Sequence, residues 1–396
     1  MGAVRRSPRD DVFHRDRSFV GRFAGVRDVE VVSADGCRVV DARGRTFVDF
    51  QGGWCVGNLG WNPPEVLARV RSFDGPAYVD PDFAYAPWAE LAERLVALAP
   101  GKLARAYRVA TGTEAVELAL QLAMVHTSRR KIVSIEGAYH GNSFAARSVG
   151  NDTLPAHLVG MKHLAPPLDG RALARLETLL KHRDVAAFIM EPTIMNLAVL
   201  IPDPELMMGL VEMCHQYGTL VIMDEVYCGF GRTGRLFACQ HYGIEPDLLT
   251  LGKSLGGGVA PIAATLATER VARAVKGHVD FCSTFGWQPI SVEAALATLD
   301  LWDARGADLL LNAGERSHQI RVRAAEIFDD AELRIQGLAI GIGLHGEEPL
   351  EPVETWCRDH GLLLYADGDS LVLFPPLTVD EATCIEAMDI LAGAVE

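Results

Sequence analysis

Two side chains carry the chemistry this chain suggests, the carboxylate of Asp224 and the amine of Lys253. They lie in the stretch Leu220 to Gly258, LVIMDEVYCGFGRTGRLFACQHYGIEPDLLTLGKSLGGG. Leu220 to Met223 is an apolar run too brief for a helix and is bounded by Gly218, so it reads as a buried strand. Asp224 and Glu225 follow directly, where a parallel strand delivers side chains to the ligand-bearing edge of a sheet. Leu248 to Leu251 is a second such strand, and it delivers Lys253 into the turn Ser254-Leu255-Gly256-Gly257-Gly258. A lysine at a buried strand end loses hydration, so its amine is more easily deprotonated and becomes a nucleophile. The chain has six lysines, and the other five sit in polar or helical surroundings.

Read singly, Asp224 is a turn or cap residue and Lys253 a solvated loop charge. On neighbouring strand ends they suit pyridoxal phosphate instead. The lysine can form a Schiff base with the cofactor aldehyde, and the aspartate can keep the pyridine nitrogen protonated so that the ring withdraws electrons. A competing signal is Gly229-Phe230-Gly231-Arg232-Thr233-Gly234, which matches the dinucleotide fingerprint. That fingerprint needs a helix opening within the glycines, and only Arg235 to Tyr242 has room to be helical before Gly243. An NAD-dependent oxidoreductase is therefore the remote alternative.

The elements around these residues must form a sheet that brings them together. Glu30 to Phe50 reads as short strands broken at two hairpin-like turns, an antiparallel flap of a smaller domain. Gln51 to Trp61, QGGWCVGNLGW, crosses over with four glycines and two tryptophans, and Trp54 is a candidate substrate contact. Arg105 to Ala110 is a strand, and Thr111-Gly112-Thr113-Glu114 opens a helix over Ala115 to Val125. Free N–H groups there and the Thr113 hydroxyl make a phosphate cradle, although a Thr-x-x-Glu cap uses the same donors. Lys131 to Glu136 is a strand ending in Gly137-Ala138-Tyr139-His140-Gly141, where Tyr139 can stack on a flat ring. No acid or second histidine stands at ligand spacing from His140, so no metal site is expected.

Arg171 to Lys181 reads as helix, Val185 to Met190 as a strand ending in Glu191-Pro192, and Pro204 to Gln216 as helix. Pro261 to Ala267 is one more strand, and Thr284 precedes a helix from Pro289 to Trp302. This alternation predicts a mostly parallel α/β sheet with helices on both faces. Beyond Asp303 a helix over Leu310 to Phe328, strands over Leu333 to Leu344, Leu362 to Tyr365 and Ser370 to Phe374, and a helix from Val379 indicate a separate α+β unit. The expected divisions are 1–60 and 304–396 in the small domain and 61–303 in the large one.

With 396 residues there is ample core, and 49% apolar composition is ordinary for a globular chain. A formal charge of −15 argues against nucleic acid and anionic membranes as partners. Eight cysteines without CxxC pairs, and an N-terminus with neither an apolar signal core nor a myristoylation pattern, point to the cytoplasm.

The segments GGWCVGNLGW, ATGTEAVELAL, EGAYHG, MEP, DEVYCGFGRTG, PDLLTLGKSLGGG, STFGWQP and FPPLTVDEA occur in one order along nearly the whole chain. Together they resemble the class III pyridoxal phosphate aminotransferases, nearest the amine:pyruvate (omega) branch. The resemblance implies fold type I, a seven-stranded sheet and a homodimer with shared active sites. It makes Lys253 the Schiff-base lysine and Asp224 the partner of the pyridine nitrogen. Gly112 and Thr113 hold the phosphate, Tyr139 stacks on the ring, and His140, Glu191 and Val226 complete the cofactor site. Thr284 reaches the phosphate of the neighbouring subunit, and Trp54 and Tyr227 line the substrate pocket.

The departures concern specificity. Ornithine-type members carry an arginine where this chain has Val372, and its resting glutamate is replaced by Asn196. The arginine that amine transaminases use for a keto-acid carboxylate falls near Tyr365, and the glutamine beside the cofactor hydroxyl is Tyr227. The expected reaction is ping-pong transfer of an amino group from a primary or omega amine to a carbonyl acceptor, with pyruvate or an aldehyde preferred over 2-oxoglutarate. A semialdehyde-type aminomutase, decarboxylation and racemisation remain open, since the cofactor permits each.

Overall fold

The computed structural model describes residues 11–150, 160–346 and 349–395. Residues 1–10, on which the reading of the N-terminus rests, lie outside the described part. The large sheet has seven strands in the order Leu103–Val109, Ala263–Thr268, Leu248–Leu251, Leu220–Asp224, Val185–Met190, Lys131–Ile135 and Met161–Leu164. Ala263–Thr268 runs antiparallel to both neighbours, and the other described pairings are parallel. The expected seven-stranded, mostly parallel sheet is therefore present.

Side-chain alternation explains why the central strands read as unbroken apolar runs. Ile222, Ile189 and Ala187 pack on one face against Val116, Ala119 and Ala123 of the helix Gly112–Thr127. Val221, Met223, Phe188 and Met190 pack on the other against Leu206 and Leu210 of Pro204–Gln216 and Leu176 and Leu180 of Gly170–Leu180. Both faces are covered, so every residue of Val185–Met190 and Leu220–Asp224 is buried. Each buried Val, Leu, Ile, Phe or Met contributes about 1.5–3 kcal/mol.

The smaller sheets join the two ends of the chain. Val31–Asp35, Arg38–Asp41 and Thr46–Asp49 form an antiparallel meander, and Leu362–Leu363 adds to it in parallel, opposing Val48 and Asp49. A second sheet has the order Glu332–Gln336, Ala339–Gly343, Ser370–Leu373, Tyr365–Asp367.

Some elements differ from the sequence reading. The two helices expected on either side of Asp303 form one helix of 39 residues, Pro289–Ile327, so the 303/304 division falls inside it. Gly306 lies inside this helix, where a Cβ would come within 2.8 Å of the Trp302 ring. The strand Met161–Leu164 and the helices Pro64–Arg71 and Ala86–Leu98 were not singled out. No helix among the described residues is long and apolar enough to cross a membrane.

Candidate active site

The edge of the large sheet gathers the acid and the lysine. Asp224 is the last residue of its strand, Thr250 opposes it on the neighbouring strand, and Lys253 follows two residues after that strand ends. Asp224 is 2% exposed. Its Oδ1 accepts from Thr250 Oγ1 at 2.7 Å and from the Val226 N–H at 3.1 Å. His140 Nδ1 donates to its Oδ2 at 2.7 Å. These donors stabilise the ionised carboxylate. Glu225 points the opposite way, as alternation requires, and accepts from the Ala238 and Cys239 N–H groups. One residue of the pair is therefore presented at the sheet edge while the other ties down a loop.

Lys253 adopts a left-handed φ of 45° at the head of a single 3₁₀ turn, a conformation costing a non-glycine residue roughly 1–3 kcal/mol. Its Nζ lies 3.5 Å from the centroid of the Tyr227 ring. Burial pushes its pKa down, against the pull of the nearby Glu191 and Asp224 carboxylates. Glu191 follows the strand Val185–Met190 and is buried with Oε1 unpartnered. Its Oε2 receives one long bond, 3.5 Å, from the Tyr139 N–H. Burial pushes its pKa up to about 7.

The turn after Lys131–Ile135 packs onto the start of the helix Gly112–Thr127. Thr111 and Glu114 form a capping box, which leaves the first two helical N–H groups, those of Gly112 and Thr113, facing outward without a protein acceptor. The Thr113 hydroxyl accepts from the Asn142 and Ser143 N–H groups at 3.0 and 3.2 Å and lies 3.1 Å from Ser143 Oγ, which itself donates to Glu117, so its own proton goes to Ser143 and Thr113 offers a phosphate chiefly its backbone. Glycine is required at 112, where a Cβ would meet Val226 Cγ1 at 2.7 Å. Tyr139 stands partly exposed, its hydroxyl held by Asn142 Nδ2 at 2.9 Å.

The pocket beside Lys253 is aromatic. Gly53, Trp54 and Cys55 all have positive φ, and Trp54 stacks on Tyr365 with ring centroids 5.6 Å apart and planes within 6°. Phe374 contacts both Tyr365 and Tyr227, at 6.5 and 5.5 Å. Val372 belongs to the same apolar cluster, while Asn196 donates to the Gly137 carbonyl. Thr284 stands apart. It is exposed and lines a cleft of ≈ 790 Å³ with Tyr78, Arg108 and Gln288, a lining that includes neither Lys253 nor Asp224. The glycines 229–234 form turns followed only by the short 3₁₀ segment Ala238–His241, so no helix opens among them as dinucleotide binding needs. Sequence reasoning missed Thr250 and Phe374. The one polar residue in the strand LLTL signalled the first, whereas Phe374 gave no local sign.

These residues fit pyridoxal phosphate. Among the described residues, buried Glu191 Oε1 and His140 Nε2 have no partner, the helix start offers N–H groups to a phosphate, and an acid and an amine share the sheet edge.

Residues 23–395 match the family described as aminotransferase class-III, and the chain belongs to that family of pyridoxal phosphate-dependent enzymes, which transfer amino groups. Among similar solved structures is an aminotransferase from Bacillus anthracis, 23% identical, with TM-score 0.91 and 99% of each chain covered. Another is the ornithine aminotransferase from Toxoplasma gondii with pyridoxal phosphate in partial occupancy at its active site. It is 25% identical, with TM-score 0.87 and coverage of 97% of this chain and 93% of that one. A third is a thermostable omega transaminase with one tryptophan changed to glycine, engineered for synthesis of enantiopure bulky amines. It is 22% identical, with TM-score 0.90 and coverage of 97% and 98%.

Proposed function

We propose that this aminotransferase takes its amino group from a primary amine, or from an amine remote from any carboxylate, by a ping-pong route. One observation carries the specificity: the wall beside Lys253, formed by Trp54, Tyr365, Phe374, Tyr227 and Val372, is apolar or neutral, with Val372 and Tyr365 at the positions where the resemblance places a carboxylate-gripping arginine. A carboxylate next to the reacting carbon is desolvated against such a wall without a partner, which disfavours α-amino acids.

When bound, pyridoxal phosphate supplies an aldehyde and an electron-withdrawing ring. Asp224 would face the ring nitrogen and hold its proton, with His140 Nδ1 hydrogen-bonded to that carboxylate at 2.7 Å. The Gly112 and Thr113 N–H groups receive the phosphate, and Tyr139 and Val226 enclose the ring. Glu191 and His140 Nε2 offer polar contacts at its rim. Lys253 would be the covalent attachment point and the base that holds and moves a proton at the amine-bearing carbon. Desolvation, which lowers its pKa, suits it to that exchange. Trp54 and Tyr227 bound the space left for the substrate.

We further propose a homodimer in which Thr284, exposed on its own chain, completes the phosphate site of the other. The reading also divides the chain at about residues 60 and 303 and places it in a reducing cytoplasm, in keeping with its eight free cysteines. A donor panel tests the specificity. With a common aldehyde acceptor, alkylamines should exceed alanine and glutamate in kcat/KM by tenfold or more, and the reverse order refutes the reading.

A further inference from the structure

What lies against the Lys253 amine is an aromatic face. Its Nζ is 3.5 Å from the centroid of the Tyr227 ring, inside the about 6 Å reach of a cation–π attraction. The ring is fixed where it stands. The turn that follows Asp224 closes on itself, with the Val226 N–H bound back to Asp224 Oδ1 and the Gly229 N–H to the Glu225 carbonyl at 3.0 Å. Tyr227 is 8% exposed and packs with Val372 and with Phe374, whose ring is tilted 53° to its own. The other groups that bear on the amine attract it weakly. They are Cys55 on the crossover turn, Glu191 after the strand Val185–Met190, and Asp224 and Cys228 on either side of Tyr227, all acting without a hydrogen bond. Burial raises both thiols and keeps them uncharged. Asp224 is engaged by Thr250, Val226 and His140, and Glu191, lifted to about 7, is mostly protonated below that pH. Arg232, the cation that bears on Tyr227, is tied to Asn58 and to the Leu338 and Pro375 carbonyls. The Tyr227 phenol is itself pushed well above its usual range, so it supplies a ring and not a phenolate.

We propose that Tyr227 is a positioning residue for Lys253: its ring is the seat of the ammonium and holds the amine at the sheet edge whenever that amine is not covalently engaged. The inference rests on the reading of Lys253 as the attachment lysine. A ring face attracts the charged amine and not the neutral one, so it opposes the desolvation that lowers the proton affinity of Lys253. The two effects together leave an amine that can both take up and release a proton. The seat also restrains a side chain with four rotatable bonds, which a buried but unpartnered lysine would leave free to wander.

The test titrates the amine in the full chain freed of cofactor. Trace acetylation with acetic anhydride across pH, followed by peptide mapping, gives the labelling midpoint of Lys253, with the other five lysines as internal standards. Tyr227→Leu and Tyr227→Met, two non-aromatic replacements, should each move that midpoint to lower pH by about half a unit or more. Tyr227→Phe keeps the ring and should keep the wild-type midpoint. If the midpoint stays put in a Leu or Met variant that circular dichroism shows to be folded, the ring only packs and the proposal is overturned. A shift in Tyr227→Phe as large as in Tyr227→Leu assigns the effect to the hydroxyl and also overturns it. Either result leaves the attachment reading of Lys253 standing. Borohydride label on another lysine of the loaded wild-type enzyme removes that reading, and the seat with it, whatever the midpoints are.

Discussion

Asp224 and His140 meet through a 2.7 Å hydrogen bond between two side chains that are almost wholly buried. The histidine proton on Nδ1 is committed to the acid, and the opposite nitrogen, Nε2, is left without a protein partner. Asp224→Asn should retain the fold but lose at least a hundredfold in kcat, since each unit of ring-nitrogen pKa it sustains is about 1.4 kcal/mol. Circular dichroism alongside turnover checks this, and near-normal activity would show the acid to be structural.

Covalent attachment gives the second prediction. Borohydride reduction of the enzyme loaded with pyridoxal phosphate, followed by peptide mapping, should place the label on Lys253. Lys253→Ala should bind the cofactor only noncovalently and lose several decades of activity. Label on Lys102, Lys131, Lys162, Lys181 or Lys276 instead would remove the assignment.

Glu191 makes a pH prediction. Burial raises its carboxyl from the ordinary 4.5 to about 7 in the folded chain. The folded state therefore binds the proton more tightly than the unfolded state, and stability from this group is full below about pH 4.5 and lost as pH rises through about 7. With the cofactor removed, Glu191→Gln should be more stable than wild type at pH 8, by on the order of 2 kcal/mol. The gain should shrink toward pH 5. Urea midpoints at the two pH values measure it, and a gain that grows on acidification contradicts the assignment.

The neutral wall at Val372 and Tyr365 bears on the acceptor. A truncated buried arginine–carboxylate pair costs about 2–5 kcal/mol, so lacking one should be felt most by a dicarboxylate. With one shared amine donor, 2-oxoglutarate should fall at least tenfold below pyruvate or a simple aldehyde in kcat/KM. If 2-oxoglutarate wins by tenfold, another group grips its carboxylate.

The large sheet was legible because its strands are buried on both faces. Val185–Met190 and Leu248–Leu251 show in the sequence as apolar runs with the observed bounds. Asp224 and Lys253 were legible for the same reason, since each breaks such a run at its end. Met161–Leu164, MKHL, is an edge strand with mixed polarity, and nothing in its pattern separates it from a loop. The helix Pro289–Ile327 was divided because the strand–helix alternation stops at Asp303, and nothing in the pattern shows that one helix runs across that point. Phe374 meets Tyr227 and Tyr365 through contacts between distant parts of the chain, and those leave no local trace.

The pairing of Leu362–Leu363 with Thr46–Asp49 has a consequence for how the molecule is made. The first strands emerge from the ribosome more than three hundred residues before their last partner does. Closing so long a loop is entropically costly and slow, so the meander stays an open edge through most of synthesis. In the large sheet only the edge strand Leu103–Val109 waits for a distant partner, Ala263–Thr268, and that wait is about half as long. Trp54 and Tyr365 stack across the late junction, and that contact is therefore made only when the C-terminal strands arrive. A nascent chain that stalls short of Leu362 holds Asp224 and Lys253 but has no wall against which to orient an amine.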